Sequence, residues 1–496
     1  MKWANFLHFY QPANQQKDIL EAVVNQCYRP LLGGLLKKER AKLTINISGS
    51  LLELLDRDDH HDVIDLVCAL HDKGTIELTS TACYHAFLPL LPVEETIRQI
   101  TLNTDLIAKY IGKSVKFAGF FPPEMGVNSS LLKILSDMGF LYMLADEVAC
   151  KGCKNDEMGK VLFKSVESQQ VVFFRQRKPS NTIMSGIERF SGVIADMMHE
   201  YSDKEYLITA MDGETFGHHR PGLEIPFLEL FDNERLEFST INDLLSLNLP
   251  AKPVTILAST WASSYADIAQ DIQFISWRDP ANTLHTWQWE LVNLMLKLIR
   301  ALDKNDPGYQ EIRSMADKAL ASDQFFWASA KPWWSVEMIE AGAFMCLEVV
   351  EKLPGVSPAD VTTARTLYRQ IISTAFDWQR TGKIREMTKE RSAAQRIPFK
   401  TRTLEAGGLE PAVYHAFVDL MKEQEQKAAA AGEYEKAILW RDAVYKIETK
   451  NDIYDAINAI DLLRIDLSNE QVEQVISRYK EDYRRIRGGQ PEQRSN

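Results

Sequence analysis

The chain has 496 residues, of which 45% are hydrophobic and 25% charged, and its formal net charge is −12. At about 150 residues per domain, this length predicts roughly three structural units. The acidic balance argues against a general nucleic-acid-binding protein. The sequence contains no run of about 18 apolar residues, so no membrane span is predicted. The N-terminus lacks the apolar stretch and cleavage site of a signal peptide, so we expect a cytoplasmic protein. The sequence leaves the oligomeric state open.

Residues 1–260 alternate short apolar runs with amphipathic segments. Strands are predicted at 3–9, 43–47, 75–79, 115–121, 141–145, 171–175 and 206–211. Helices are predicted between them at 19–36, 51–55, 63–70, 93–110 and 131–138. Alternation of this kind is typical of an α/β unit with a mostly parallel sheet.

The pattern changes near residue 260. Long helices are predicted at 284–302, 311–326, 335–353 and 358–378, and helical sequence returns from 410 onward. The basic, polar stretch 380–400 predicts a linker or an exposed helix, and 488–496 is expected to be disordered. We therefore expect an α/β unit at 1–260, a helical unit at 261–400 and a helical extension at 401–496.

Several polar side chains follow predicted strands, where parallel α/β folds carry their functional groups. His8, Tyr10 and Gln11 follow the first strand, and His85 follows the third. These residues could line a polar pocket, although a histidine that caps a loop is an equally ordinary explanation.

Glu124 follows an apolar run and two prolines, which restrict the backbone and can direct the side chain. A carboxylate beside Phe120, Phe121 and Met125 is poorly solvated unless it is exposed or paired. The alternative is a solvent-facing glutamate that caps the next helix.

The densest cluster of ionisable residues in the chain follows the strand at 206–211. It contains Asp212, Glu214, His218, His219 and Arg220. Two carboxylates at different strand ends, Glu124 and Asp212, suggest a glycosidase in which one carboxylate attacks the anomeric carbon and the other protonates the leaving oxygen. A separation of about 5 Å between them would predict retention of configuration.

The helical unit contributes Asp323 and several tryptophans, among them Trp327, Trp333 and Trp334. Flat aromatic rings suit the apolar faces of sugars, but packing in the core is the ordinary role of tryptophan. Trp261, at the end of the α/β unit, is open to the same two interpretations.

Five short motifs in order resemble those of glycoside hydrolase family 57. They are His-Phe-Tyr-Gln-Pro at 8–12, Tyr-His-Ala-Phe-Leu-Pro at 84–89, Phe-Pro-Pro-Glu at 121–124, Asp-Gly-Glu at 212–214, and Ser-Asp-Gln at 322–324 with Trp327. The resemblance covers roughly residues 1–350. One position departs from the family pattern, because Tyr10 stands where the first motif has a second histidine.

The resemblance implies a distorted (β/α)7 TIM-like barrel at 1–260, completed by the helical domain at 261–400 and followed by the extension. It implies Glu124 as nucleophile and Asp212 as acid/base, with no metal and no organic cofactor. The residues then expected to bind substrate are His8, Tyr10, Gln11, His85, Glu214, His218, Trp261, Asp323 and Trp327. The expected substrate is an α-glucan or a maltooligosaccharide.

Within that family, retaining hydrolysis of α-1,4-glucan is the preferred prediction. Transfer by a 4-α-glucanotransferase or a branching enzyme uses the same covalent intermediate and is the alternative. The Tyr10 departure also leaves open a glucan-binding protein that has lost catalysis.

Two other hypotheses concern different chemistry. A zinc-dependent deacetylase or mannosidase-like enzyme would gather His8, His85, Asp212 and His218 around the metal. Cys150 and Cys153 have the spacing of half a zinc site or a redox pair, but a loop with two thiols is favoured. Residues 433–443 faintly resemble the UVR helical hairpin, and a helix of the chain's own C-terminal bundle is favoured there.

Overall fold

In the computed structural model, residues 1–486 are described with the exceptions of 155, 187, 332, 393–410, 450–458 and 464–465. The strands are β1 (Lys2–Phe9), β2 (Leu43–Ile47), β3 (Ile76–Thr79), β4 (Gly119–Phe120), β5 (Tyr142–Asp146), β6 (Leu162–Ser165), β7 (Val171–Arg175), β8 (Tyr206–Asp212), β9 (Glu237–Phe238) and β10 (Ala251–Val254).

Helices lie between the strands and then dominate the rest of the chain. Up to residue 260 they are Lys17–Val23, Arg29–Leu36, Gly49–Arg57, His61–Asp72, Val93–Tyr110, Ser129–Asp137, Arg177–Ser185, Ser191–His199, Glu224–Leu230 and Ile241–Leu244. Beyond it they are Tyr265–Ala269, Thr283–Ala301, Tyr309–Ala319, Asp323–Phe326, Val336–Lys352, Pro358–Thr381, Lys383–Ser392, Pro411–Ala430, Tyr434–Thr449 and Asn469–Ile486. Among the described residues, no helix has both the length and the apolar character needed to cross a bilayer.

The strands form two sheets with the orders β3-β2-β1-β8 and β10-β6-β7-β5-β4, and β9 pairs with β1. Every pair is parallel except β6 with β7. All residues of β2 and β5 are buried, because helices cover the faces of a parallel sheet, and the buried polar side chains Thr44 and Asn46 of β2 are hydrogen-bonded.

The two sheets contact each other in two places. A parallel bridge between Ser80 and Phe120 joins the end of β3 to β4. In the second place, the backbone N–H of Gln176 donates to the carbonyl of Ile208 at 3.0 Å, which joins the end of β7, an inner strand of its sheet, to β8. These contacts bring the carboxyl ends of strands from both sheets to one side of the unit.

The helical region shares a hydrophobic core with the second sheet. Met143 and Phe174 of that sheet belong to the same buried cluster as Leu291, Cys346 and Ile371 of the long helices. This packing brings the short helix Asp323–Phe326 to the carboxyl side of the strands.

The C-terminal helices have a hydrophobic cluster of their own, in which Trp440 is buried. This burial favours 433–443 as a helix of the chain's own bundle. Asp461 connects the bundle to the α/β unit, because it accepts hydrogen bonds from Arg189 at 2.7 Å and Arg220 at 3.0 Å.

Some predicted elements differ from the structure. The predicted strand 115–121 contains only β4, and the predicted helix 311–326 is interrupted between Tyr309–Ala319 and Asp323–Phe326. The stretch 380–400 contains the helix Lys383–Ser392, while 393–400 and the tail 488–496 lie outside the described residues.

Cys150 and Cys153 are joined by a disulfide on either side of a turn at Lys151 and Gly152. The expected loop is present, but the prediction of two free thiols is wrong. Gly152 has a φ of 73°, a backbone conformation that glycine adopts without a steric penalty, and this allows the turn to bring both sulfurs together.

Candidate active site

Glu124 and Asp212 come from the carboxyl ends of two strands that belong to different sheets, β4 and β8. Asp212 is the last residue of β8 and lies in register with His8 of β1. Glu124 lies in the short 3₁₀ turn Pro123–Met125 that follows β4. Because the carboxyl ends of parallel strands share one side, both side chains face the same region.

The backbone at Glu124 is strained, with a φ of 60°, and the next residue, Met125, has a φ of 48°. Two consecutive non-glycine residues with positive φ are uncommon, and this backbone conformation persists only when the surrounding structure holds it. Trp261 supplies part of that restraint: its backbone N–H donates to the Glu124 carbonyl at 3.1 Å, and its indole Nε1–H donates to Glu124 Oε2 at 2.7 Å.

The turn after Asp212 is held against β1 by a close approach at Gly213. A Cβ atom at this position would lie 2.2 Å from the ring of Phe9, so a side chain cannot be accommodated without movement. The glycine of the Asp-Gly-Glu motif thus allows the acid-bearing turn to pack directly on β1.

The two carboxyl groups are electrostatically coupled. Burial, followed by the negative charge of Asp212, raises the pKa of Glu124 to about 8, although the Trp261 hydrogen bond opposes this rise. Burial raises the pKa of Asp212 to about 6, opposed by the charge of Arg175. Both carboxyl groups therefore keep their protons to a higher pH than exposed carboxyl groups do.

Arg175, the last residue of β7, is a functional residue that our sequence analysis missed. Its buried guanidinium donates to the carbonyl of Ala210 at 2.8 Å and to Asp146 Oδ2 at 2.9 Å, and its charge favours the ionised form of Asp212. The signal was an arginine directly after the apolar run Val-Val-Phe-Phe, at a strand end of the type already examined for histidines and carboxylates.

A chain of hydrogen bonds runs from the α/β unit to the helical region through Asn46, His8, His85 and Ser322, and we call these four residues the relay. Asn46 donates its amide N–H to the Thr79 carbonyl, so its oxygen accepts from His8 Nδ1 at 2.8 Å. His8 Nε2 then accepts from His85 Nε2 at 3.1 Å, and His85 Nδ1 accepts from the Ser322 hydroxyl at 3.0 Å. All four ring nitrogens are engaged within this relay.

Both histidines are neutral in this arrangement. Burial lowers the pKa of His8 to about 4, and burial together with the proximity of His8 lowers the pKa of His85 well below its usual range. A sugar hydroxyl could bind either ring only by replacing one of the relay's hydrogen bonds. The relay also fixes Ser322, and therefore the start of the helix that carries Asp323.

Replacing Asn46 with leucine should lower the free energy of unfolding by about 1–3 kcal/mol, because the change leaves the buried His8 Nδ1–H and the Thr79 carbonyl without partners. Urea denaturation at neutral pH measures this difference. A loss below about 0.5 kcal/mol would contradict the relay.

Tyr10, which stands where the family motif has a second histidine, has two contacts within the site. Its hydroxyl donates to Asp323 Oδ2 at 2.6 Å, and its ring stacks on His85 with centroids 4.0 Å apart. Burial and the charge of Asp323 raise the pKa of Tyr10 well above its usual range, so the hydroxyl keeps its proton. Tyrosine therefore joins the end of β1 to the helical region.

The remaining predicted residues have hydrogen-bond or ring partners outside the pair. Glu214 accepts from the Tyr28 hydroxyl at 2.5 Å and from the Tyr10 backbone at 3.2 Å, and burial raises its pKa to about 8. Gln11 donates to the same Tyr28 hydroxyl at 3.4 Å. Both residues support the turn behind the site.

His218 and Trp327 also have partners of other kinds, and the Trp327 backbone N–H donates to the Asp323 carbonyl at 2.9 Å. His218 is hydrogen-bonded to Gln26 at 2.7 Å, and Trp327 packs against Phe326 and Trp333. The structure thus groups His8, Tyr10, His85, Trp261 and Asp323 around Glu124 and Asp212.

The ligand set considered for zinc is not assembled. His8 and His85 are bonded to each other, while His218 faces Gln26. Within the described parts of the chain, no three histidine, cysteine, aspartate or glutamate side chains are grouped as a metal site.

Sequence comparison relates the chain to enzymes of known activity. The profile of glycosyl hydrolase family 57 matches residues 3–252. The α-amylase of Pyrococcus horikoshii is 26% identical over 218 residues, covering 42% of this chain and 33% of that protein. The 4-α-glucanotransferase of Thermococcus litoralis is 23% identical over 301 residues, covering 57% of this chain and 43% of that protein. The chain thus spans less than half of the length of these two relatives, 33% of the first and 43% of the second.

Solved structures confirm the predicted fold class. The 4-α-glucanotransferase from Thermococcus litoralis superposes with a TM-score of 0.55 at 20% identity, covering 71% of this chain and 58% of that one. The family 57 branching enzyme from Pyrococcus horikoshii gives 0.56 at 14% identity, covering 79% of this chain and 94% of that one. With the profile match extending over half of the sequence, the chain belongs to glycosyl hydrolase family 57.

Proposed function

We propose that this protein is a retaining glycoside hydrolase that cleaves α-1,4-glucans, with Glu124 as nucleophile and Asp212 as acid/base. The observation that carries the proposal is the coupled, buried pair of carboxyl groups at the ends of β4 and β8, with Glu124 oriented by Trp261. The matched relatives include α-amylases and 4-α-glucanotransferases, which supports an α-glucan or a maltooligosaccharide as substrate.

In the first step, a Glu124 oxygen forms a bond to the anomeric carbon while the bond to the glycosidic oxygen breaks. Asp212 donates its proton to that leaving oxygen. In the second step, Asp212 removes a proton from water, the water oxygen bonds to the anomeric carbon, and Glu124 is released. Two inversions give net retention.

The relay and the helical region have supporting roles in this proposal. His8 and His85 lie beneath the reacting sugar. Asp323 Oδ2 accepts from the Tyr10 hydroxyl, and Asp323 Oδ1 accepts from a sugar hydroxyl. The unit at 1–260 would thus be the catalytic domain, completed by the helical region. A cytoplasmic location is part of the same proposal.

The catalytic cycle needs one proton in the pair, which predicts a bell-shaped dependence of kcat/KM on pH. Below about pH 6 both groups are protonated and the nucleophile is neutral, whereas above about pH 8 both are ionised and no acid remains. Between these limits the pair holds one proton, and the reactive form is the one that carries it on Asp212. Initial rates between pH 4 and pH 10 test this. A rate that keeps rising beyond pH 9 would contradict it.

Glucan transfer is the second candidate. Of the two relatives compared above, the 4-α-glucanotransferase matches the larger share of this chain, 57% against 42% for the α-amylase. Transfer needs the same two residues, with a sugar hydroxyl in place of water in the second step. Branching would need them in the same way.

The test is incubation with maltoheptaose, resolving products by chain length over time, with Glu124→Gln as the matched inactive control. Only shorter products indicate hydrolysis, and longer products formed together with shorter ones indicate transfer. Binding without any product, in a folded protein, would contradict both and favour a glucan-binding protein that has lost catalysis.

A further inference from the structure

Three residues form a cluster next to the catalytic pair that the proposed mechanism does not use. Glu147 directly follows β5, Arg177 begins the helix after β7, and Tyr265 begins the helix Tyr265–Ala269, four residues after Trp261. We call Glu147, Arg177 and Tyr265 the rim cluster. All three lie on the carboxyl side of the strands.

Arg177 joins the rim cluster to the catalytic centre. Its Nη2 donates to the backbone carbonyls of Trp261 at 3.1 Å and Ser263 at 2.6 Å, and its Nε donates to Asp146 at 2.5 Å. Trp261 in turn holds the Glu124 carboxyl group. The rim cluster is therefore two contacts away from the proposed nucleophile.

Tyr265 is 61% exposed, and its orientation is nevertheless fixed. The Arg177 guanidinium lies 6.0 Å from its ring centroid, within the range of a cation–π contact, and the Tyr265 hydroxyl donates to Glu147 Oε1 at 3.4 Å. Arg177 thus lies over one face of the ring, while most of the Tyr265 surface remains exposed.

An oriented aromatic ring beside a carboxylate matches the chemistry of a sugar. The C–H face of a pyranose can pack on the ring, while its hydroxyl groups donate to carboxylate oxygens. Among the described residues, the hydrogen bond to Glu147 Oε2 comes from the Arg177 backbone N–H at 3.2 Å, and a carboxylate oxygen with one donor keeps capacity for a further one.

We propose that Tyr265 and Glu147 form a binding subsite for a glucosyl residue of the glucan chain outside the reacting position. Tyr265 stacks against the sugar and Glu147 accepts one of its hydroxyl groups. The subsite rests on the proposed function and adds to it a preference for chains long enough to reach from Glu124 to Tyr265.

The test measures binding without turnover, using Glu124→Gln as the parent. Adding Tyr265→Ala should raise the Kd for maltoheptaose about tenfold and the Kd for maltose less than twofold. Tyr265→Phe should keep most of the affinity, because the ring remains. Tyr434→Ala is the matched control, since Tyr434 is 67% exposed on a C-terminal helix.

The outcomes separate the two proposals. If wild-type enzyme converts maltoheptaose but Tyr265→Ala leaves the parent's Kd unchanged, the subsite is wrong and the function stands. An equal loss for maltose and maltoheptaose would also overturn the subsite, because it would show no dependence on chain length. If the wild type neither binds nor converts α-glucans, the proposed function fails and the subsite fails with it.

Discussion

Glu124→Gln should lower turnover of maltoheptaose by at least about 10³-fold. An amide cannot attack the anomeric carbon, so the covalent intermediate does not form. The variant keeps the size of the side chain and an oxygen that can accept from the Trp261 indole. Initial rates at pH 7 with equal amounts of wild-type and variant protein measure the effect.

The same variant has a stability signature that separates loss of chemistry from loss of fold. Burial raises the pKa of Glu124 to about 8, above its unfolded value, so the folded state holds this proton more tightly and wild-type stability falls as pH rises through that range. Glutamine does not titrate, and we expect the variant to be at least as stable as wild type at pH 8. Activity within tenfold of wild type would contradict the nucleophile assignment.

Asp212→Asn should lower turnover of maltoheptaose by about 10²–10⁴-fold, because the leaving oxygen departs without a proton. A maltosyl fluoride, whose leaving group needs no protonation, should lose much less activity in the glycosylation step. The comparison of the two substrates identifies the acid role.

Removal of the Asp212 charge should also lower the pKa of Glu124, since that charge is one of the causes of its rise. The pH at which Glu124 ionises in the Asp212→Asn variant should therefore fall below about 8. Equal losses on both substrates, with an unchanged pKa, would assign Asp212 a structural role.

Much of the framework could be predicted from sequence because buried parallel strands leave a direct pattern. The runs at 43–47 and 171–175 match β2 and β7, and polar residues after strands marked His8, His85, Glu124 and Asp212. The five motifs then identified the family, which the profile match confirms. The strand β4 is only Gly119–Phe120, because the chain there leaves the sheet early to enter the turn that carries Glu124.

The contacts between distant residues could not be predicted in the same way. Tyr10 and Asp323 are 313 positions apart, and their hydrogen bond depends on how the helical region packs on the second sheet. The pairing of His8 with His85 depends on the Asn46 amide, which the sequence shows as one of two polar residues in the short strand β2. Such bonds are set by tertiary packing, which a local pattern does not encode.

The most direct test of the account is to trap the glycosyl-enzyme intermediate. Asp212→Ala is incubated with a 2-deoxy-2-fluoro maltosyl fluoride, digested and analysed by peptide mass spectrometry. We expect one added glycosyl group on the peptide that contains Glu124, and none in the Glu124→Gln protein. A label on another carboxylate, or no label while wild type turns over α-glucan, would contradict the central claim that Glu124 is the nucleophile.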